Sequence, residues 1–198
     1  MITTIIFDWG GVLIQGKHNP EVINLFCKKY KRKVKDVFKT IDNEVRNMDR
    51  GKLTLTQFTN KINKKLNINL STKDWLYFLE YSITTNNAII PLIKSLKKSY
   101  KILILSNNND ATIKIIKRTQ KSLLSLFDKQ YYSSELKVRK PKRKIYNILL
   151  KKEKLKPNEC IFIDDKPKNI VAANKLGMKG IIYKNNSQLK SSLKKLLK

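Results

Sequence analysis

The sequence predicts an α/β protein: a parallel sheet between two helical layers, with a small helical cap inserted into it. Short β-branched apolar runs alternate with helical patterns over most of the chain, which is typical of a parallel sheet covered on both faces. The first run ends before a glycine turn at Gly10-Gly11. Purely helical periodicity then interrupts the alternation. We therefore assign residues 1–16 and 86–198 to an α/β core and residues 17–85 to a helical cap.

Four of the five predicted strands are short apolar runs that end at polar or turn-forming residues. They are residues 2–7, 101–105, 160–163 and 180–183. The third strand along the chain is expected near residues 127–132, before Ser133-Ser134. Parallel strands that are buried on both faces are expected to be this apolar.

Helical spacing of apolar residues predicts the remaining elements. The core helices are expected at residues 87–98, 110–122, 141–152, 167–176 and 189–197. Asp110 is the expected N-cap of the second of these. Four helices are expected in the cap, separated by turns at residues 31–33, 49–52 and 67–71. The third cap helix should begin at Thr54 or Thr56, and the fourth at Ser71 or Thr72.

Length and composition exclude several classes of protein. The chain has 198 residues, of which 41% are hydrophobic, so it can bury a core and is no disordered basic tail. No apolar run reaches the ~18 residues of a membrane span. Two cysteines, Cys27 and Cys160, form no disulfide scaffold, and the single histidine, His18, disfavours a histidine-based triad or zinc site. We expect a reduced cytoplasmic protein, monomeric or dimeric, with no membrane partner.

The chain is strongly basic, with 43 Lys and Arg against 15 Asp and Glu and a formal net charge of +28. One interpretation is attraction to polyanions, since clustered cations release condensed counterions. The other is compositional drift, because only six of the basic residues are arginines and specific nucleic-acid readers favour Arg. The sequence lacks zinc-finger and RNA-recognition motifs. Nonspecific nucleic-acid binding at low salt is expected under either interpretation.

Carboxylates follow two of the predicted strands. Asp8 ends the first strand, and Asp164-Asp165 ends the fourth. In an open α/β sheet, ligands bind beyond the carboxyl ends of the strands, so these groups should converge. Their mutual repulsion would be relieved by a hard divalent cation with oxygen ligands, Mg²⁺ above all.

Further polar residues should reach the same crevice. Ser106-Asn107 ends the second strand, and Lys140 precedes Pro141 at a helix start. A carboxylate-bound metal beside a lysine and a hydroxyl suits a tetrahedral phosphate, because it offers charge neutralisation and hydrogen-bond donors.

Four motifs carry a family resemblance. They are FDWGGVL at residues 7–13, LSN at 105–107, VRKP at 138–141 with Ile145-Tyr146, and FIDD at 162–165 with Asn169. In this order and spacing they resemble the four motifs of the haloacid dehalogenase (HAD) superfamily. The cap position is similar to that of members with a small helical cap between the first two motifs, including sugar-phosphate phosphatases and the N-terminal phosphatase of epoxide hydrolase. The resemblance implies a Rossmann-like core and a Mg²⁺-dependent phosphatase acting on a small phosphorylated metabolite.

The resemblance also implies a role for each motif residue. Asp8 would be the nucleophile that forms an aspartyl-phosphate, Ser106 would bind phosphoryl oxygens, and Lys140 would pair with both. Asn107 and Gly11 would contact the substrate. The expected metal ligands are Asp8, the carbonyl of Gly10, Asp164 and Asp165.

Two positions depart from the family pattern. Family phosphatases commonly carry an aspartate two positions after the nucleophile as general acid and base, and this chain has Gly10. Lys137 stands where relatives usually have glycine. The loss of a general acid typically costs ~10²–10⁴-fold in rate. The enzyme would then prefer good leaving groups, be slow, or have become a phosphate-binding protein without turnover.

Dehalogenation needs no protonated leaving group, but dehalogenases of this superfamily typically lack the paired aspartates, so the resemblance argues against it. Three other functions remain open from sequence. A metabolite phosphatase is the leading hypothesis. The alternatives are a weakly active or inactive protein that binds nucleic acid or another polyanion, and a phosphatase acting on polynucleotide ends.

Overall fold

The structure is a computed structural model that describes residues 1–15 and 20–197, with the backbone alone at residues 15 and 20–23. His18 and the predicted boundary between residues 16 and 17 lie outside the described residues. The division into core and cap at the predicted residues therefore stays a prediction.

The core is a five-stranded parallel sheet with strand order β5-β4-β1-β6-β7. Its strands are β1 (Thr4–Phe7), β4 (Lys101–Ser106), β5 (Lys129–Tyr132), β6 (Cys160–Asp164) and β7 (Lys179–Ile182). All five strands were predicted, and β1 lies at the centre between β4 and β6. The predicted α/β class is confirmed.

Alternate side chains of the central strand enter different layers. Ile5 and Phe7 belong to one apolar cluster, while Ile6 belongs to another on the opposite face. Because successive side chains of a strand point to opposite faces, the two clusters are the two sides of one sheet. Every residue of β1 is buried, as expected for a central parallel strand.

Helices cover both faces of this sheet. In the core they are α5 (Ile90–Leu96), α6 (Asp110–Thr119), α7 (Lys121–Leu124), α8 (Ser133–Leu136), α9 (Arg143–Glu153), α10 (Pro167–Asn174) and α11 (Asn186–Leu196). Several expected helix boundaries were wrong, among them the N-cap of α6 and the start of α9. Asn109, not Asp110, caps α6, since the Asn109 side chain accepts from Thr112 N. The helix predicted from Pro141 begins at Arg143, after the extended Lys142.

The cap consists of four helices around an apolar cluster of its own. They are α1 (Pro20–Tyr30), α2 (Val34–Met48), α3 (Leu55–Leu66) and α4 (Thr72–Tyr81). Thr54 begins α3 with a reciprocal capping box to Gln57, and the Ser71 side chain caps α4 at Asp74 N. One member of each predicted pair of start residues is therefore confirmed.

A two-stranded antiparallel ribbon that the sequence did not reveal joins the two connections to the cap. It pairs β2 (Ile14–Gln15) with β3 (Thr84–Thr85). Beside it, buried Asn86 donates through its backbone N–H to Leu13 O at 2.9 Å and through Nδ2 to Val12 O at 2.9 Å. These bonds fix the cap over the carboxyl ends of the strands.

Cys27 and Cys160 are both buried free thiols. Among the described residues, no helix has the length and apolar character needed to span a bilayer.

Candidate active site

Three carboxylates meet at the carboxyl ends of two neighbouring strands. Asp8 follows β1, Asp164 ends β6 and Asp165 comes next. One oxygen from each lies within 4.8 Å of the others. Around an octahedral Mg²⁺, adjacent ligand oxygens are about 3.0 Å apart and opposite ones about 4.2 Å, so the three oxygens must draw closer together to share one ion. The predicted convergence of these residues is found in the structure.

Lys140 lies among these carboxylates. Its Nζ is 2.8 Å from Asp8 Oδ1 and 2.7 Å from Asp164 Oδ2, and all three side chains are buried. The backbone N–H of Trp9 also donates to Asp8 Oδ1 at 2.7 Å. Lysine and backbone together hold the Asp8 carboxylate in one orientation.

The charges of this cluster are unbalanced. Burial, together with the charge of Asp8, raises the pKa of Asp164 to about 6 even though Lys140 opposes the shift. Burial alone would lower the pKa of Lys140, but Asp8 and Asp164 raise it above its usual value. Because burial alone would lower the pKa of Lys140, its raised pKa indicates that negative charge from the carboxylates predominates around the ammonium. Such a site favours a bound cation.

The two neighbouring aspartates differ in their hydrogen bonds. Asp164 accepts from Lys140 and, at 2.9 Å each, from the Lys166 backbone N–H and the Asn169 Nδ2. Oδ1 of Asp165 is buried and has no hydrogen-bond partner among the described residues. A buried carboxylate oxygen without a donor is costly unless a cation takes its place. The donor set is all oxygen and therefore fits Mg²⁺.

Gly11 adopts a conformation that gives Asp165 its position. Its φ is +85°, and a Cβ there would lie 2.5 Å from Asp165 Cγ and Oδ2. Only glycine provides both the positive φ and the space. Gly11 thus borders Asp165, one of the predicted metal ligands, and Gly10 lines the cleft.

The polar side chains at the end of β4 form hydrogen bonds with other residues of the protein. Ser106 is fully buried, and its Oγ accepts from Asn108 Nδ2 at 3.1 Å. The Asn107 side chain pairs with the backbone of Lys140, and Asn107 also lines the cleft. Among the described residues that line the cleft, Asn107, Asn108 and Asn109 are present and Ser106 is not. The sequence prediction had no role for Asn108 or Asn109, although three consecutive asparagines at a strand end were a signal.

A cleft of about 510 Å³ opens between the cap and these strand ends. Its cap wall is largely apolar and includes Phe26, Val37, Trp75 and Phe78. This volume is within the usual range of small-molecule sites.

Cap and core are also joined across the cleft by an ion pair that the sequence did not predict. Arg139 Nη2 lies 3.2 Å from Asp49 Oδ2, and Asp49 Oδ1 accepts from Asn109 Nδ2 at 3.2 Å. Asp49 closes the second cap helix, while the other two residues belong to the core. In the sequence, the turn at Asp49-Arg50-Gly51 could have indicated this contact, because polar residues at a turn can face a neighbouring domain.

Comparison with known proteins decides the family. A family model described as haloacid dehalogenase-like hydrolase matches residues 2–177. The chain belongs to the haloacid dehalogenase-like hydrolases. The resemblance drawn from the four motifs is therefore confirmed, and the chain is an enzyme of this HAD-like hydrolase family.

Individual relatives cover the whole HAD-like chain. It is 26% identical over 212 aligned positions to D-ribitol-5-phosphate phosphatase from Bacteroides thetaiotaomicron, spanning 100% of this chain and 99% of the relative. A HAD-like family hydrolase from Porphyromonas gingivalis has a similar structure, with a TM-score of 0.85, 26% identity and coverage of 100% and 98%.

A third similar structure was solved with ligands. It is an aspartate-to-alanine mutant of a HAD family enzyme from Bacteroides thetaiotaomicron, in complex with magnesium and inorganic phosphate. It has a TM-score of 0.82 and 24% identity, and covers 93% of this chain and 95% of its own. This likeness establishes the shared fold.

Proposed function

We propose that this HAD-like hydrolase is a Mg²⁺-dependent phosphatase that hydrolyses a small sugar or sugar-alcohol phosphate through an aspartyl-phosphate on Asp8. Its enzyme class is phosphoric monoester hydrolase. The observation that carries the proposal is the Asp8 carboxylate held by Lys140 beside the paired Asp164 and Asp165.

Asp8, Asp164, Asp165 and the carbonyl of Gly10 would hold the metal. When bound, Mg²⁺ would neutralise charge on the phosphoryl oxygens and so permit attack by an anionic nucleophile. Lys140 contributes a second positive charge next to the nucleophile, at 2.8 Å. The two charges address the main obstacle to this reaction, which is repulsion between a carboxylate and a phosphate dianion.

The proposed reaction has two displacements. A carboxylate oxygen of Asp8 attacks phosphorus, the new O–P bond forms, and the bond to the sugar oxygen breaks. Water then attacks phosphorus, the Asp8 O–P bond breaks, and phosphate leaves with the carboxylate restored. The Trp9 N–H and Lys140 hold Asp8 in place for both steps.

Gly10 leaves both steps without the usual proton donor and acceptor. The departing sugar oxygen takes its proton from water in the first step, and the attacking water loses its proton without help in the second. Esters with good leaving groups need little protonation in the first step. In the second step the leaving group has already departed, so its nature cannot offset the missing proton acceptor. We therefore propose that breakdown of the phosphoenzyme limits turnover for activated esters.

The substrate class is supported by one relative and by the cleft. The relative acts on D-ribitol 5-phosphate, and the cleft volume of about 510 Å³ accommodates a molecule of this size. The paired Asp164-Asp165 supports phosphoryl chemistry rather than dehalogenation.

The test is a set of phosphate esters graded by leaving-group pKa, assayed with wild type, Gly10→Asp and Asp8→Asn. Wild type should hydrolyse p-nitrophenyl phosphate in Mg²⁺ and lose activity in EDTA. The Gly10→Asp variant should gain ~10²-fold or more on alkyl esters, since it restores an acid and base. Unchanged activity in Asp8→Asn or in EDTA would overturn the proposal.

The same assay separates the alternative functions. End-phosphorylated oligonucleotides hydrolysed far faster than sugar phosphates would favour a polynucleotide-end phosphatase. No turnover of any ester, together with saturable RNA binding at physiological salt, would favour a noncatalytic polyanion-binding protein. Binding that disappears between low and moderate salt would reflect only the net charge.

A further inference from the structure

Three arginines line the cleft above the proposed catalytic site. Arg46 and Arg50 come from the cap, four residues apart, and Arg139 comes from the core. The whole chain has only six arginines among its 43 basic residues. Half of them therefore line this cleft, where they make up three of the seven described basic side chains, whereas lysine predominates in the rest of the chain. Compositional drift toward lysine does not explain this concentration.

Arg46 and Arg50 each lie close enough to Arg139 for their positive charges to act on it. Burial lowers the pKa of Arg139, Asp49 opposes that shift, and the charges of Arg46 and Arg50 lower the pKa further. In addition, Nε of Arg139 is buried, and no residue in the described part of the chain accepts a hydrogen bond from it. Repulsion and an unused donor are both relieved by an anion placed among the arginines.

The acidic residues in contact with these arginines balance them only in part. Arg46 Nε lies 2.7 Å from Asp42 Oδ2, and Arg139 pairs with Asp49. Arg50 donates from Nη1 to the neutral Asn47 Oδ1 at 3.4 Å. Three cations thus face two carboxylates.

The cleft as a whole also has a net positive charge. Its described lining holds seven basic and two acidic side chains, and the three carboxylates of the metal cluster bring the acidic number to five. Two positive charges remain. A bound Mg²⁺ and a phosphate dianion cancel each other, so the surplus persists when a simple monoester occupies the site.

We propose that the natural substrate carries a second anionic group, a carboxylate or a second phosphate, which binds between Arg46, Arg50 and Arg139. This inference rests on the proposed phosphatase function and narrows its substrate class to acidic sugar phosphates. Guanidinium groups suit this role because their planar donors bind carboxylate and phosphate through paired hydrogen bonds.

The test compares esters that differ in one group. Ribitol 5-phosphate is neutral at its far end, ribonate 5-phosphate has a carboxylate there, and ribitol 1,5-bisphosphate has a phosphate. The pair 2-hydroxyethyl phosphate and 2-phosphoglycolate repeats the comparison over a shorter distance. We expect kcat/KM to be ~10–100-fold higher for at least one acidic ester than for its neutral counterpart. The preferred anion distinguishes a carboxylate substrate from a bisphosphate.

Variants assign the preference to the cleft. Arg46→Gln, Arg50→Gln and the double variant should reduce the acidic-to-neutral ratio of kcat/KM by ~10-fold or more. Arg118→Gln is the matched control, because Arg118 pairs with exposed Glu80 and is not one of the described cleft residues. It removes the same charge and should leave the ratio unchanged.

The outcomes separate this inference from the proposed function. Equal kcat/KM for acidic and neutral esters, or a preference that survives in the cleft variants, would overturn the second-anion site while leaving the phosphatase intact. Preference for an end-phosphorylated oligonucleotide with no discrimination among small esters would also overturn it.

If wild type hydrolyses none of the esters, the proposed function fails. Since wild type then leaves the esters intact, calorimetric binding of the same esters to wild type with Mg²⁺ still tests the site: tighter binding of an acidic ester, lost in the double variant Arg46→Gln/Arg50→Gln, supports it, and equal binding overturns it.

Discussion

The side-chain amide of Asn107 forms two hydrogen bonds with the backbone of Lys140. Its Nδ2 donates to the Lys140 carbonyl at 3.1 Å, and its Oδ1 accepts from the Lys140 N–H at 2.9 Å. The turn after β4 thereby fixes the loop that places the Lys140 ammonium between two carboxylates. Asn107 is a positioning residue for the proposed catalytic lysine.

Asn107→Ala should remove this restraint. We expect kcat to fall ~10–100-fold, because small misplacements of a catalytic group are expensive, and unfolding free energy to fall by about 1–3 kcal/mol. Asn63→Ala is the matched control, since Asn63 makes the same two bonds to the Leu70 backbone within the cap. The control should lose similar stability in a denaturant titration and keep its kcat. Equal kcat losses in both variants would contradict a positioning role.

Gly11→Ala should weaken Mg²⁺ binding. The new Cβ would collide with the Asp165 carboxylate, 2.5 Å away, in addition to straining a residue at φ +85°. Gly177→Ala carries the same backbone strain at φ +92°, but its nearest neighbour would be 3.6 Å away. Both should lose about 1–2 kcal/mol of stability. Calorimetry should show that Gly11→Ala binds Mg²⁺ with a Kd at least ~10-fold weaker than that of wild type, whereas the Kd of Gly177→Ala is unchanged.

Lys140→Met should separate metal binding from turnover. Removal of the ammonium leaves Asp8 and Asp164 without their shared partner, so the carboxylates should attract Mg²⁺ more strongly. We expect Mg²⁺ to raise the Tm of this variant more than that of wild type, while phosphatase activity falls ~10³-fold or more. Lys144→Met, at an exposed position on α9, is the control for net charge. Weaker Mg²⁺ stabilisation in a folded Lys140→Met protein would refute the electrostatic account of the site.

Glu153 should make the stability of the core depend on acid pH. This buried carboxylate pairs with Lys101, accepts from the Tyr131 hydroxyl, and lies 3.1 Å from Lys129 Nζ. Burial raises its pKa, but the hydrogen bonds from Lys101 and Tyr131 lower it more, to about 2. A lowered pKa stabilises the folded state above the unfolded value of about 4.3, and that stability is lost as pH falls towards 2.

Glu153→Gln should therefore cost about 3 kcal/mol of unfolding free energy near neutral pH. The difference from wild type should shrink as the pH falls from about 4.5 towards 2. Glu80→Gln is the comparison, since Glu80 forms an exposed pair with Arg118 that should contribute ~1 kcal/mol or less. A difference between Glu153→Gln and wild type that does not change with pH would show that the charge of Glu153 is not what stabilises the core.

The parts of the fold that repeat a simple pattern could be predicted from sequence. Apolar runs predicted four of the five strands, and the rule that parallel strands present their carboxyl ends together placed Asp8 beside Asp164. The ribbon of β2 and β3 was missed because two residues per strand carry no periodicity. The N-cap residue of α6 was predicted one position too late, because Asn109 and Asp110 are equally suitable as N-cap residues.

The partners of the site residues depend on distant contacts that sequence patterns do not encode. Asn107 was expected to contact substrate, yet both of its amide atoms bind the Lys140 backbone, 33 residues away. The ion pair of Asp49 and Arg139 forms only once the cap has packed over the core. Lys137, where relatives usually have glycine, does adopt the left-handed conformation at φ +55°, so the family pattern signalled a backbone requirement that a lysine also meets.

The central claim is that Asp8 accepts the phosphoryl group with Mg²⁺ and Lys140 beside it. The most direct measurement is rapid quenching of wild type with a ³²P-labelled activated ester in Mg²⁺, followed by mapping of the labelled peptide. We predict a burst of labelled protein approaching one phosphoryl group per chain, located on Asp8, abolished by EDTA and absent in Asp8→Asn. Steady turnover with no label on the protein, or label at another residue, would contradict the account.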